Sequence, residues 1–269
     1  MNSKRSIYPR LRHAISAEQH DFLPRLPYRH DDLYEVILIS SGTARFISDD
    51  KQYQVQAGDA LFCLPETCYA LFPDDAGLCY TSLLFELPEY LRMSGLPPED
   101  VIRCGDGMER FLPLIQMLLS DGTLPTVQSH LLSALLLQIR TYSPLSCTQQ
   151  IPEDSAAYAM ARFIDAHYTK DIFLSDIAES VHLTTSHAIH VFKPIFEISP
   201  MQFLSSRRIG QAQHLLLTTE LSANRIASEV GISNVNYFYT VFKKLVGLSP
   251  VSYRTNFQNR TAHYPTDSN

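Results

Sequence analysis

The sequence predicts an α+β multidomain fold. An N-terminal antiparallel β-barrel or jelly roll is followed by two helices and then by an all-α domain of two helix-turn-helix units. Short β-branched and apolar runs with closely spaced turn residues occupy residues 33–87. Apolar residues after 107 recur at helical spacing, and one helical pattern occurs twice. A chain of 269 residues is long enough for two domains with apolar cores.

The N-terminal half contains four candidate strand regions. They lie at 33–47, 53–57, 60–65 and 78–87, and the first is interrupted near Gly42. Each combines alternating or continuous apolar residues with flanking Gly, Pro, Asp or Asn. Short strands at this spacing are typical of an antiparallel barrel.

Two apolar stripes at helical spacing follow the predicted barrel. They lie at 111–119 and 131–139 within a helical segment 107–142, and residues 122–125 interrupt them. We predict an antiparallel helix pair. In the simplest interpretation both helices only pack against the barrel. Residues 143–155 lack periodicity and contain two Pro, so they predict an interdomain linker.

Residues 222–246 carry the features of two short helices joined by a tight turn. Ser222 can cap the first helix, Gly231 suits a left-handed residue just past its end, and Gly247 can end the second. The same pattern occurs in residues 175–196 at offsets of 49 and 50. The repeat predicts two helix-turn-helix units, each with a second helix that can enter a DNA major groove.

The stretch from about 158 to 257 resembles the DNA-binding domain of the AraC/XylS family of transcription regulators. The resemblance is carried by Ile226-Ala227, Val230 to Ser233, Tyr237-Phe238, Val241 to Lys244, Gly247, Ser249-Pro250 and Tyr253-Arg254, and by Arg208-Ile209, Ala212, Leu215 and Leu216. It implies a DNA-binding domain at 156–258. The chain departs from the family pattern at Ala188, His190 and Thr240, and Glu197 stands where Gly is usual.

The N-terminal half resembles the cupin-like sensor domain of many AraC-family members. The resemblance is carried by the order His30, Tyr34-Glu35, Gly42, Gly58-Asp59 and Pro65. It implies a ligand-sensing domain with an N-terminal arm at 1–106 and a helical dimerisation segment at 107–142. The predicted polar ligand-binding residues inside an apolar barrel are Tyr28, His30, Glu35, Arg45 and Tyr69. The alternative places Arg45 and Tyr69 at the barrel rim.

The cupin resemblance raises the question of a metal. Metal cupins use two His and a Glu from their first motif and a further His from the second, but Tyr28 and Tyr69 stand at two of those positions. His30 and Glu35 alone do not make a transition-metal site, so we expect no metal and no cofactor. Neither a Ser-His-Asp nor a Cys-His grouping is visible, so we expect no catalytic residues and no enzymatic activity. A cupin-type binding or enzymatic protein and a regulator without a small-molecule ligand remain the competing hypotheses.

The net charge of −6 is unevenly distributed. Residues 1–155 carry 12 Lys or Arg and 20 Asp or Glu, whereas residues 156–269 carry 10 and 8, a net of +2. DNA binding would therefore depend on local Lys and Arg and on helix N-termini. No apolar run of 18 residues and no signal-peptide pattern occurs, so we expect no membrane span and a cytoplasmic protein. Five Cys without a C-x-x-C motif indicate reduced thiols, with redox sensing by Cys63 and Cys68 as the alternative.

The resemblance and helix geometry together identify candidate DNA contacts. The predicted base contacts lie near the start of each second helix and are Thr185, Ser186, His187, His190, Asn234, Asn236, Tyr239 and Thr240. The predicted phosphate contacts are Lys193, Lys243, Lys244 and Arg254. The resemblance implies a transcription regulator, expected to be an activator, whose partners are double-stranded DNA, a small-molecule effector such as a carbohydrate, a second copy of the chain, and RNA polymerase.

Overall fold

A computed structural model describes most of the two predicted halves. The described residues are 8–17, 25–30, 32–74, 77–88, 100–120, 123–146, 149–150 and 155–258. Much of the predicted N-terminal arm, including residues 1–7 and 18–24, lies outside them. An antiparallel β domain precedes a helical domain, which confirms the predicted fold class.

The N-terminal domain consists of two facing antiparallel sheets. Its strands are β1 Arg10–Ala17, β2 Arg25–Tyr28, β3 Tyr34–Ser41, β4 Thr43–Ser48, β5 Lys51–Gln56, β6 Asp59–Cys63, β7 Tyr69–Pro73, β8 Cys79–Glu86, β9 Val101–Arg103, β10 Ser143–Pro144 and β11 Gln149–Gln150. One sheet has the order β1-β8-β3-β6-β9-β10 and the other β11-β5-β4-β7-β2. The last two strands lie in the predicted linker and extend one edge of each sheet, so that segment is partly bound to the barrel.

Large apolar side chains fill the space between the two sheets. Strand alternation turns Ile37 and Ile39 of β3 inward, where they meet Phe46 and other rings from the facing sheet. The remaining buried residues of this core include Ala44, Tyr53, Val55, Leu61, Cys63, Tyr69, Leu71, Leu78, Tyr80 and Val101. The barrel interior is therefore chiefly a packed core.

The helices are also found in the predicted regions. A 3₁₀ helix spans Gly105–Arg110, and the α-helices are α1 Leu112–Leu119, α2 Pro125–Ile139, α3 Ala156–His167, α4 Leu174–Glu179, α5 Thr185–Phe196, α6 Pro200–Thr218, α7 Ala223–Glu229, α8 Val235–Val246 and α9 Pro250–Gln258. Ile115 and Leu136 on the first two α-helices pack with Val36 and Phe85 on the outer face of the six-stranded sheet. Among the described residues, no helix combines the length and apolar character that a membrane span requires.

Two helix-turn-helix units share one turn geometry. In the first, α4 leads into α5, and the backbone N–H of Leu183 donates to the Ala178 carbonyl at 2.9 Å. In the second, α7 leads into α8, and Ile232 donates to Ala227 at 2.8 Å. The turn needs a left-handed residue, which is His182 in the first unit with φ 56° and a Gly in the second. The equivalent bonds explain why the sequence repeat produces a structural repeat.

Gly231 tests how tightly the second turn is packed. Its φ is +78°, and an added Cβ would lie 2.6 Å from the carbonyl oxygen of Thr169. Gly247 has φ +85°, but an added Cβ there would meet no atom within 4 Å. Because both substitutions strain the backbone and only one creates a clash, Gly247→Ala should lower the free energy of unfolding by about 1 kcal/mol and Gly231→Ala by about twice that or more. Urea unfolding followed by circular dichroism compares the two variants, and equal losses would contradict the packed turn.

Candidate functional site

The second helix of each helix-turn-helix unit begins with a side-chain cap and an exposed polar turn. Thr184 accepts from the backbone N–H of His187 at 3.3 Å, and Asn234 accepts from Tyr237 at 3.0 Å. Both caps leave the N-terminal backbone donors of the helix oriented outward, where they favour an anion. The predicted base contacts exposed to solvent are Thr185, Ser186, His187, His190, Asn234, Asn236 and Thr240.

Two predicted base contacts have additional packing or hydrogen bonds. Tyr239 is half-buried and meets the ring of Phe238 edge-on, with centroids 5.9 Å apart. Thr240 donates its hydroxyl to the Asn236 carbonyl at 2.9 Å, although it remains exposed. Sequence analysis missed Tyr237, which is 53% exposed on α8. Tyr237 comes one residue before the buried Phe238, so on a helix its side chain points about 100° away from the buried face. This spacing could have identified Tyr237 as an exposed residue.

Exposed lysines follow on both helices. Lys193 lies in the last turn of α5, and Lys243 and Lys244 lie in the last turn of α8. The connecting helix α6 has 19 residues and is therefore about 28 Å long. This length is comparable to the rise of about 34 Å per turn of the DNA duplex.

Arg254 has a structural contact that the sequence did not predict. Its Nε donates to the Leu216 carbonyl at 3.0 Å and its Nη2 to the Thr219 carbonyl at 3.1 Å. These bonds satisfy carbonyls at the C-terminal end of α6. Arg254 is therefore half-buried and braces the domain, and its contact with a phosphate stays a prediction. Arg208 has a similar role, because it donates to the carbonyls of Tyr168 and Lys170 at 2.7 and 2.6 Å.

Three predicted ligand-binding residues, Tyr69, Glu35 and His30, meet in one hydrogen-bonded network. The Tyr69 hydroxyl donates to Glu35 at 2.6 Å, and His30 Nε2 lies 3.3 Å from the same carboxylate. Ser82, which sequence analysis missed, donates to the other carboxylate oxygen. The side chains of His30 and Glu35 are at most 1% exposed, so their geometry supports a hydrogen-bonded core. The backbone of Tyr28 belongs to β2, but its side chain lies outside the described part of the chain.

Arg45 does not join this network. Alternation along β4 turns Ala44 and Phe46 inward and Arg45 outward. The Arg45 guanidinium lies 5.3 Å from the Phe72 ring centroid and forms an ion pair with Glu197 at the end of α5. The prediction that Arg45 converges with the barrel residues is therefore wrong, and the residue instead connects the two domains.

A second interdomain contact centres on Asp165 of α3. Its two oxygens accept from Arg29 at 3.0 Å and from Arg207 at 2.6 Å. The Arg207 side chain is only 1% exposed, and its guanidinium carbon lies 4.2 Å from the Tyr168 ring centroid. One carboxylate thus binds an arginine from the sensor domain and a buried arginine of α6.

A cavity of about 610 Å³ lies between the domains beside this contact. Its sensor-domain wall includes Ile47, Phe72 and Cys68, and its opposite wall includes Tyr158 and Phe203. Desolvation raises the pKa of the Cys68 thiol to about 12, so the thiol stays protonated near neutral pH. Within the described ranges, no group of three or more His, Cys, Asp or Glu residues is placed to hold a metal ion.

The buried Arg207–Asp165 pair can be tested against an exposed pair of the same domain. Asp165→Asn leaves Arg207 buried without a carboxylate and should lower the free energy of unfolding by about 3 kcal/mol. The matched control is Glu229→Gln, because Glu229 pairs with Arg225 while the two side chains are 42% and 65% exposed. Its loss should stay below about 0.5 kcal/mol. Urea unfolding measures both, and a small loss for Asp165→Asn would rule out a dominant role for the pair.

Comparisons with known proteins agree with the two-domain geometry. The family model for an AraC-like ligand binding domain matches residues 12–160, and that for a helix-turn-helix domain matches residues 177–256. The chain is 27% identical over 250 residues to the uncharacterized HTH-type transcriptional regulator YdiP of Escherichia coli K12, with 86% of this chain and 81% of YdiP covered. It is 24% identical over 270 residues to the HTH-type transcriptional activator RhaS of Shigella dysenteriae, with 93% and 91% covered. The melibiose operon regulatory protein of Escherichia coli K12 is 32% identical over 106 residues, which cover 39% of this chain and 35% of that protein.

Proposed function

The chain belongs to the AraC family of transcription regulators, with a ligand-binding domain ahead of a DNA-binding domain, and from this premise we propose its specific mode of action. It binds an operator as a homodimer and activates nearby genes in response to a small-molecule effector, in contact with RNA polymerase. The observation that carries the DNA-binding part is the pair of capped second helices with exposed polar first turns.

In this proposal α5 and α8 enter successive major grooves on one side of the duplex. Asn236 is the best candidate for a bidentate contact with adenine, because its side chain is exposed in the first turn of α8 and an amide matches that base edge. Lys193, Lys243 and Lys244 contact phosphates and set the position of each helix. Because residues 156–269 carry a net charge of only +2, this binding depends on a few local cations, and each phosphate contact that they make adds to its salt dependence.

The departures from the family pattern affect the two units differently. Ala188 is buried in the core of the first unit, so that departure concerns packing rather than a base contact. His190 is exposed on α5 and Thr240 on α8, so both can change base preference. We therefore expect the two half-sites of the operator to differ in sequence.

Two substitutions on α8 separate base contact from phosphate contact. Asn236→Ala should weaken binding to the operator by about 1–3 kcal/mol and leave binding to unrelated DNA nearly unchanged. Lys243→Gln should weaken binding to both DNAs and reduce the slope of log K against log salt by about one. Fluorescence anisotropy of the full-length protein on its upstream intergenic DNA, at several salt concentrations, measures these effects.

The control for Lys243→Gln is Lys51→Gln, which removes the same charge from a sensor-domain side chain paired with Asp100. It should change neither the affinity nor the salt slope. An unaltered salt slope in Lys243→Gln, or equal losses on operator and unrelated DNA in Asn236→Ala, would contradict the assigned roles.

The proposed dimer uses the outer surface of α1 and α2. Both helices bury one side against the six-stranded sheet, yet Leu112, Met117 and Leu137 are 43%, 48% and 58% exposed. Large apolar side chains exposed together mark an interaction surface. The family resemblance favours a second copy of this chain as the partner.

Substitution of Leu137 tests the dimer. Leu137→Lys places a charge on the proposed interface and should raise the dimer dissociation constant by about tenfold or more. The matched control is Leu221→Lys, at an exposed leucine of the DNA-binding domain that is 38% exposed. Sedimentation velocity across a concentration series gives both constants. A monomeric parent protein, or an equal effect of the two substitutions, would contradict this interface.

The effector response is proposed to act through the boundary between the domains. A ligand shifts an equilibrium between two arrangements only if it binds one of them better. A ligand in the cavity would contact both domains, so its affinity would depend on their arrangement. The packed barrel core instead favours the alternative of a regulator with no small-molecule ligand. A carbohydrate effector, suggested by the family resemblance and by the melibiose operon regulator, remains one class to be tested.

A further inference from the structure

We propose that strand β4 of the sensor domain positions the helix α5 for DNA binding, and that Arg45 and Ile47 are the residues through which it does so. The docked sensor domain then holds the first helix-turn-helix unit in its DNA-binding form, whereas the second unit is held by its own core. This inference rests on the proposed contact of α5 with DNA and adds the residues that make that contact depend on the sensor domain. Three observations support it: the backbone of α5, its apolar core and the ion pair at its end.

The backbone of α5 has two local weaknesses near its C-terminal end. Pro194 lies inside the helix, where it has no N–H to donate to the carbonyl four residues earlier. Glu197 ends the helix in the left-handed conformation, with φ 63°, in which residues other than Gly are strained. The second unit has Lys244 and Gly247 at the equivalent positions. The end of α5 is therefore less stable by itself than the end of α8.

The outer face of the five-stranded sheet packs against the first unit. Arg45 and Ile47 are two residues apart on β4, so their side chains share that face, and Phe72 of β7 lies directly opposite Arg45. Ile47 is buried in the same apolar cluster as Phe192 and Phe196 of α5. A residue of the sensor domain thus completes the core of the first unit.

The second unit has a core of different origin. Within the described ranges, its buried members run from Ile209 to Tyr253 and include Phe238 and Phe242 of α8. All of these residues belong to the DNA-binding domain. Loss of sensor docking would therefore remove core contacts from α5 and leave those of α8 in place.

The ion pair between Arg45 and Glu197 connects β4 to the strained residue itself. The Arg45 side chain is only 14% exposed and lies over the Phe72 ring, so its guanidinium is held in place where it meets the carboxylate. A cation at the C-terminal end of a helix also interacts favourably with the helix dipole. The pair therefore favours a conformation of Glu197 that the backbone alone disfavours.

Neither Arg45 nor Ile47 contacts DNA in this proposal. The helix α5 has 12 residues and is about 18 Å long, and the predicted base contacts Thr185 and Ser186 lie at the opposite end from Glu197. The two β4 residues are therefore positioning residues. They hold one end of α5 in place, while the other end enters the major groove.

Hydrogen exchange followed by mass spectrometry tests this support in the free full-length protein. Ile47→Asn removes the apolar contact with α5 but leaves the barrel interior intact, because residue 47 is not part of the core between the two sheets. It should raise the exchange rate of amides in 186–197 by about tenfold or more and change that in 236–247 by less than about twofold. Equal changes in the two helices, or an unchanged α5, would overturn the proposal.

Two substitutions at the end of α5 separate positioning from general stability. Arg45→Gln breaks the ion pair and should raise exchange in 190–197 by about two- to fivefold. Adding Glu197→Gly removes the strain that the pair offsets, so exchange should return to within about twofold of the parent protein. The control Arg12→Gln breaks the Arg12–Glu86 pair on the other sheet and should leave α5 unchanged. No recovery in the double variant, or an equal effect of the control, would contradict the role of Arg45.

Operator binding by the same samples relates this support to DNA binding. In fluorescence anisotropy on the upstream intergenic DNA, Ile47→Asn should bind about fivefold or more weakly, because complex formation must then also order α5. A loosened α5 with unchanged operator affinity would overturn the link to DNA binding. If the folded parent protein binds no operator, the proposed function fails, while exchange in the free protein still decides whether β4 supports α5.

Discussion

The Asp165 carboxylate is the constraint on which the arrangement of the two domains depends. Arg207 is almost completely buried, and a buried guanidinium without a carboxylate costs several kcal/mol. The ion pair therefore holds α3 against α6, because α3 supplies Asp165 and α6 supplies Arg207. Arg29 then binds the second oxygen of a carboxylate that is already held in place. The sensor domain is thus attached to a rigid part of the DNA-binding domain, and the cavity lies along the same helix.

A second ion pair and a set of apolar contacts also join the two domains. Glu197 is 67% exposed, so its ion pair with Arg45 contributes only about 0.2–1 kcal/mol. Ile47 and Phe72 of the sensor sheet pack with a cluster that contains Phe196 and Phe203. Apolar contacts of this kind can be exchanged for similar contacts with a ligand. The docking of the two domains therefore combines ion pairs at Asp165 and Glu197 with apolar packing around Phe196 and Phe203.

Sequence analysis succeeded where structure is local and failed where it depends on distant partners. Ser222, Asn234, Gly231 and Gly247 act within a few residues of their own position, so the caps and turns of the second unit were predictable. Arg45 was misplaced because side-chain direction in a strand changes with a shift of one residue. Other contacts could not be inferred, since the Arg29–Asp165 pair joins residues 136 positions apart. The interdomain cavity could not be predicted either, because its lining residues come from separate segments of the sequence.

The two helix-turn-helix units differ in how their backbone turns and their cores are stabilised. The first unit has His182 and Glu197 in left-handed conformations, with φ of 56° and 63°, where the second has glycines. Each such residue costs about 1–2 kcal/mol, so the first unit folds at a local disadvantage. Glu197 recovers part of that cost through Arg45, and the core of the first unit includes Ile47 of the sensor sheet. The first unit therefore gains stability from the docked sensor domain, whereas the second has its own separate core.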